Sequence, residues 1–175
     1  IVYDILKPYN FVMMYFADSF GVSLFQLFAR AIPLLIFSLV FFGIMPSVTP
    51  ISLLQFIPVY FMSFILFILF GFMISSLAFF FTEVFSFMIL YSALVTLLSG
   101  SVIPLNLFPD YLVRIISWSP FPYLYYYPTT VLIGTPIQMA YEELLLRYAL
   151  EILIVGTITF TVYFSGKRRL EFAGG

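Results

Sequence analysis

The sequence predicts an all-α, polytopic membrane helix bundle of about four transmembrane helices with a re-entrant, Pro-rich segment on its outer side. Three observations predict it. No charged side chain occurs between Arg30 and Glu83, and none between Glu83 and Asp110. A bilayer core about 30 Å thick asks for roughly 20 mainly apolar residues per helix, so the first gap alone is long enough to cross twice. Hydrophobic residues make up 63% and charged residues only 9%, against about 25% charged in a soluble domain, which would leave too little polar surface for water. Finally, six prolines crowd the stretch from Pro104 to Pro136, and no straight spanning helix tolerates that spacing, because each proline removes a backbone donor. One membrane domain, 1–175, follows.

The first element, Ile1 to Asn10, mixes apolar residues with Asp4 and Lys7 and ends in the Pro8-Tyr9-Asn10 turn. Periodicity alone reads it as a short interfacial helix that caps the next span; a helix docking on a cytosolic partner is the functional alternative. Phe11 to Gly43 is apolar but interrupted by Asp18 and Arg30, so the crossing part begins near Phe20. Within it Ser19, Ser23, Gln26 and Arg30 recur at intervals of four, three and four, which sets them on one face of a single helix. Two readings of Arg30 stay open. Its long side chain snorkels to a headgroup, or it serves a pathway or a partner carboxylate, with Ser23 and Gln26 beside it, as intramembrane ionisable groups commonly do.

Pro46 to Pro50 carries turn chemistry and closes a tight helical hairpin. The run Leu53 to Phe81 is the second span, broken by Thr82 and Glu83, and Val84 to Val102 is the third, with Ser99-Gly100-Ser101 near its end. Residues 104–136 then combine prolines with Asp110, Arg114, Trp118 and the Tyr123 to Tyr127 cluster. Trp and Tyr favour the membrane interface, where an apolar ring and a polar tip are both accommodated. Non-helical backbone at membrane depth must be packed on protein, so this stretch is a re-entrant element of one leaflet.

Glu143, Arg147 and Glu151 stand four apart on a helix face leading into the last span, Ile152 to Phe164, a helix that starts outside the membrane. Lys167-Arg168-Arg169 is the only dense basic cluster, and such clusters stay on the cytoplasmic side. With four spans both ends are then cytoplasmic, the tail being residues 166–175, and the Pro-rich segment is outside.

The chemistry is largely one of exclusion. Cysteine and histidine are absent, which removes disulfides, thiol nucleophiles, imidazole bases and the usual metal-ligand sets. No phosphate-binding G-x-x-x-x-G-K-[ST], dinucleotide G-x-G-x-x-G, H-E-x-x-H or G-x-S-x-G motif occurs. The chain is therefore expected to have no catalytic residue, no metal and no ATPase activity of its own. A net charge of -1 offers no field for nucleic acid. A secondary transporter driven by an ion gradient would use Arg30, Glu83 and Glu151, yet Glu83 falls at the cytoplasmic hairpin and Glu151 near the outer surface, away from the midplane. An intramembrane lipid enzyme lacks its bases, and a structural membrane subunit would need only packing residues.

Ser99-Gly100-Ser101, then Pro104, Phe108-Pro109-Asp110 with a short helix, then Pro120-Phe121-Pro122 and an aromatic run, resembles the outward segment of type-2 ATP-binding-cassette (ABC) transporter permeases. Asp4-Ile5-Leu6-Lys7-Pro8 and the basic, Gly-ended tail Gly166 to Gly175 are similar to the ends of a bacterial branch of these permeases. The resemblance implies an exporter subunit of the bacterial cytoplasmic membrane holding the coupling segment and last four spans of a six-span subunit, which the opening at Ile1 fits. It implies a cytosolic ATP-binding partner that holds ATP and Mg, a second permease subunit, and no cofactor in this chain. Coupling to the ATPase would fall to Asp4, Leu6, Lys7 and Pro8, and outer-gate architecture to Pro104, Pro109, Asp110 and Pro120. The substrate is not implied.

Overall fold

The computed structural model describes residues 11–43, 48–137 and 139–173. All its regular elements are helical: α1 (Phe11–Gln26), a π-helical turn (Leu27–Ala31), α2 (Ile32–Phe42), α3 (Pro50–Ser76) extended by a 3-10 turn (Leu77–Phe79), and α4 (Phe85–Leu98). A second 3-10 turn (Leu105–Leu107), α5 (Asp110–Ser117), α6 (Tyr126–Ile133) and α7 (Tyr141–Ala173) complete the series. Three stretches are long and apolar enough to cross a membrane: Val12–Phe41, Pro50–Phe79 and Tyr141–Arg169. The chain divides between Val48 and Thr49 into two compact units.

The described part of the first unit is one apolar helical stretch that widens at Leu27–Ala31. Pro33 follows closely. It has no N–H for the Ala29 carbonyl one turn back, so the α-helical ladder loses a rung beside the π turn. The four residues expected on one face lie within one continuous helical stretch, Val12–Phe41, with Ser19, Ser23 and Gln26 on α1 and Arg30 within the π turn.

In the second unit α3 opens with a reciprocal cap. The Ser52 N–H donates to Thr49 Oγ1 at 3.1 Å and the Thr49 N–H donates to Ser52 Oγ at 2.9 Å, while Pro50 occupies the first turn, where its missing donor costs nothing. The helix begins three residues before the expected Leu53. Its buried side chains include Val59, Ser63, Leu66, Leu69 and Phe72, and α7, which packs along it, buries Leu144, Tyr148, Val155, Thr159 and Tyr163. Fully burying a large apolar side chain stabilises by about 1.5–3 kcal/mol, so this seam is the core of the unit.

The two long helices run parallel. Going along both in the same direction, the Tyr141 hydroxyl donates to the Gln55 carbonyl at 2.9 Å and Tyr148 Oη lies 3.0 Å from Ser63 Oγ. Further on, the rings of Phe72 and Tyr163 are 5.1 Å apart. At the far end Gly166 presses on Phe79, and the Arg169 guanidinium sits 5.2 Å from the centre of the Phe80 ring. A chain leaving α3 at Phe79 must therefore return across the full length of the seam to enter α7 at Tyr141.

That return is made by α4 and the irregular segment after it. The expected third span, Val84 to Val102, is shorter as a helix: α4 has 14 residues, or about 21 Å at 1.5 Å per residue. Gly100 turns the chain with φ +77, and residues 104–136 form no spanning helix. Phe121 stacks on Phe70 at 5.8 Å, and Tyr91 of α4 meets the same ring at 5.4 Å. The Pro-rich segment thus dips to the level of Phe70, about two helical turns past Ser63, before climbing back. The last helix, expected to lead through Glu143, Arg147 and Glu151 into a span over Ile152 to Phe164, runs for 33 residues from Tyr141.

Candidate functional site

The polar centre of the second unit is a junction of α3, α7 and the returning aromatic segment. Leu144, Tyr148, Val155, Thr159 and Tyr163 share one buried face of α7 through spacings near the helical repeat. On the facing side Ser63 is the sole serine between Gln55 and Ser75 of α3. Tyr148 is fully enclosed and Tyr123 is 1% exposed.

Two hydroxyl protons serve three short contacts here. Tyr148 Oη is 2.9 Å from the Tyr123 carbonyl and 3.0 Å from Ser63 Oγ, and Ser63 Oγ is also 2.9 Å from the Val59 carbonyl of its own helix. The Tyr123 carbonyl can only accept, so the Tyr148 hydroxyl donates to it. Ser63 then donates either to Tyr148 Oη or to Val59. Every buried polar atom of the trio is satisfied in both arrangements, which burial demands.

Aromatic packing surrounds the trio. Tyr123 meets Tyr148 edge-on at 4.8 Å and tilts against Tyr127 at 4.8 Å, while Tyr126 meets Tyr127 at 5.4 Å. Burial pushes the Tyr127 phenol up to about 12. Burial also raises Tyr123, against the opposing pull of the Arg147 guanidinium that its phenol reaches. Both phenols accordingly stay neutral through the physiological range, because a buried charge would forfeit its hydration.

A charged rim adjoins the trio. Arg147 donates through Nη2 at 2.8 Å and Nε at 3.1 Å to a single oxygen, Oε1 of Glu143 one turn earlier. The two side chains remain 39% and 49% exposed, so the pair is worth little as a clamp. Arg147 also reaches the Tyr123 phenol. Glu151, one turn beyond Arg147, is half-buried. The junction is a neutral hydrogen-bonded unit with the Glu143–Arg147 pair and Glu151 at its edge.

The residues predicted from sequence fall elsewhere. Asp4, Leu6, Lys7 and Pro8 lie outside the described residues. Gln26 and Arg30 are exposed and Ser23 is half-exposed on the first unit. Pro104 and Pro109 are exposed at the starts of the Leu105–Leu107 turn and of α5, where Asp110 sits in the first turn, and Pro120 is half-buried in the turn after α5. These four positions mark the starts and the end of the short elements of the outer segment. Glu83 is exposed in the connection from α3 to α4.

Sequence reasoning does not single out Ser63 or Tyr148, and it names Gly166 only as the start of the basic tail. A Cβ on Gly166 would stand 2.6 Å from the Phe79 Cβ, closer than van der Waals contact allows. The solitary serine in the apolar run of α3 was the available signal for Ser63. Nothing local distinguishes Tyr148 or Gly166.

A family model described as ABC-2 family transporter protein matches residues 3–174 of the chain. No curated protein and no solved structure gives a significant match.

Proposed function

The chain belongs to the ABC-2 transporter family, and on that premise we propose that it is the permease subunit of an exporter powered by a separate cytosolic ATPase. ATP and Mg are held by that partner. Asp4, Leu6, Lys7 and Pro8 dock on it, with both ends of this sequence on the cytoplasmic side of a bacterial membrane, in keeping with the Lys167 to Arg169 cluster. The family match, which spans nearly the whole sequence, is the observation that carries this reading.

The fold is suited to such a role. Parallel α3 and α7 make one stiff body, joined at one end through Ser63, Tyr148 and Tyr123 and at the other through Phe79 and Gly166. Alternation between two packings of the membrane halves, biased by ATP binding in the partner, would move such bodies as units. A second permease subunit has an open face to use. Among the residues of α4 only Val95 is buried, and Ser92, Ala93 and Thr96 are exposed there; small and hydroxylated residues let membrane helices approach closely. The segment from Pro104 to Pro120, with Pro109 and Asp110, shapes the outer exit, and Arg30 lines a pathway or packs a helix at the π turn, a deviation often found at functional positions.

The test is co-purification with the ATPase encoded nearest to this protein, followed by ATP hydrolysis of the complex in lipid. A stable complex whose stimulated hydrolysis drops on Asp4→Ala and Lys7→Ala supports the reading. Absence of any ATPase partner, or stimulation indifferent to both substitutions, would remove the coupling assignment.

A further inference from the structure

The face of α7 that points away from α3 carries a polar stripe. Thr157, Thr161, Ser165 and Arg168 follow one another at helical spacing and are exposed, opposite the buried face of Val155, Thr159 and Tyr163. With Phe160 and Phe164 they line an open hollow of about 550 Å³. The two rings stand along it nearly parallel, 6.2 Å apart. Polarity changes along its length. Thr157 Oγ1 donates to the Leu153 carbonyl at 2.6 Å and Thr161 Oγ1 donates to the Thr157 carbonyl at 2.7 Å. Both hydroxyl protons are thus engaged by their own helix, and that part of the hollow offers a visitor little but methyl groups and rings. Donors lie at the other end, where Ser165 and Arg168 line the hollow and exposed Lys167 is adjacent in sequence. Arg169, the next residue, sits on the Phe80 ring.

We propose that this hollow holds one anionic phospholipid, its phosphate on Arg168 and Ser165 and an acyl chain laid along Phe164 and Phe160 toward Thr157. The length agrees. Thr157 and Arg168 are 11 positions apart, which is about 16 Å along a helix and about half of a 30 Å hydrocarbon core, so the hollow is as deep as one leaflet. The charge agrees as well. A guanidinium gives a phosphate two parallel donors, and basic residues at the end of a membrane helix attract anionic lipid. A free phosphate would engage only the mouth and gain nothing from the apolar length. A second helix is the poorer occupant: close helix packing asks for small residues at the crossing, whereas Phe160 and Phe164 stand along this hollow, and Arg168 would need a carboxylate facing it. With Arg168 held by lipid and Arg169 held on Phe80, the end of α7 is fixed from two sides beside the contact of Gly166 with Phe79. Lipid charge would thereby act on the seam between α3 and α7.

Trp118 is the sole tryptophan of this sequence, so Trp118→Phe gives a dark background in which Phe164→Trp places a reporter in the hollow. The protein is reconstituted in phosphatidylcholine vesicles holding a fixed fraction of either brominated phosphatidylglycerol or brominated phosphatidylcholine, and the quenching by the two is compared. The expected result is a preference for the anionic lipid of about fivefold in apparent affinity, the factor that one basic residue near anionic headgroups contributes. Arg168→Gln should erase the preference and Arg168→Lys should keep most of it. A reporter placed instead by Leu150→Trp, on exposed surface nearer the other end of α7, should show none. Equal quenching by both lipids at position 164 would mean ordinary bilayer contact, and quenching by neither would mean that another helix covers the face; each overturns the proposal. A preference that survives Arg168→Gln, or one that excess inorganic phosphate abolishes, would equally overturn the assignment of a lipid headgroup to Arg168. ATP hydrolysis is not read, so the outcome is independent of the coupling test.

Discussion

Tyr148 Oη lies 3.0 Å from Ser63 Oγ, joining two parallel helices whose residues are 85 positions apart, at a place no solvent reaches. The same hydroxyl holds the Tyr123 carbonyl, so one side chain of α7 fixes both α3 and the returning aromatic segment.

Removing that hydroxyl should cost more than removing its partner. Tyr148→Phe leaves the buried Tyr123 carbonyl unsatisfied, a loss of about 1–3 kcal/mol. Ser63→Ala leaves Tyr148 its bond to Tyr123 and should cost less. The double variant should fall short of the sum, since both changes break one contact. Thermal unfolding of the purified protein in detergent checks the order; equal effects would show that the contact to Ser63, rather than to Tyr123, dominates.

Gly166 should tolerate no side chain. A Cβ there would stand 2.6 Å from the Phe79 Cβ and 2.8 Å from Cγ of its ring, so Gly166→Val must part α3 from α7, with overpacking costing about 1–3 kcal/mol. Gly156→Ala is the control: its Cβ would meet Leu69 Cδ1 at 3.8 Å, ordinary contact, and a helix gains from alanine. Melting temperatures should move in opposite directions.

Gly100→Ala should loosen the turn above α4. The position has φ +77, and a Cβ would meet the Tyr126 Cβ at 3.1 Å; the left-handed conformation alone costs an L-residue about 1–2 kcal/mol. Protease sensitivity of residues 101–109 should rise, while the seam between α3 and α7, probed by a cysteine pair introduced at Gln55 and Tyr141, should still cross-link.

Arg30 should separate a pathway role from snorkelling. If it serves transport, Arg30→Ala in the reconstituted permease and ATPase should lower substrate-stimulated hydrolysis several-fold and Arg30→Lys should restore much of it. If it only reaches a headgroup, both variants should match the parent.

Much of the fold is legible residue by residue. Leu53 to Phe81 announces a span because each apolar side chain adds its own transfer free energy whatever its neighbours are. The π turn at Leu27–Ala31 was not legible, since Pro33 lacks a donor just as Pro58 does, and Pro58 lies inside a helix that stays regular. The outer segment was legible as non-spanning from its prolines. Its depth was not, because Phe121 reaches Phe70 through a contact between residues far apart in sequence.

By itself, then, the sequence determined that this is a membrane protein of apolar helices with a broken, aromatic segment near one face, because the bilayer acts on each residue independently and at short range. Only the tertiary structure decided that α3 and α7 run parallel, that α4 is a short return, and that Ser63, Tyr123 and Tyr148 rather than the punctuating prolines form the polar joint. Those relations rest on contacts between residues far apart in the chain, 25 positions for Tyr148 and Tyr123 and 90 for Thr159 and Leu69. In a chain with so many aromatic and hydroxylated side chains, composition permits countless such pairs, and close packing selects the few whose shapes and donors are satisfied together.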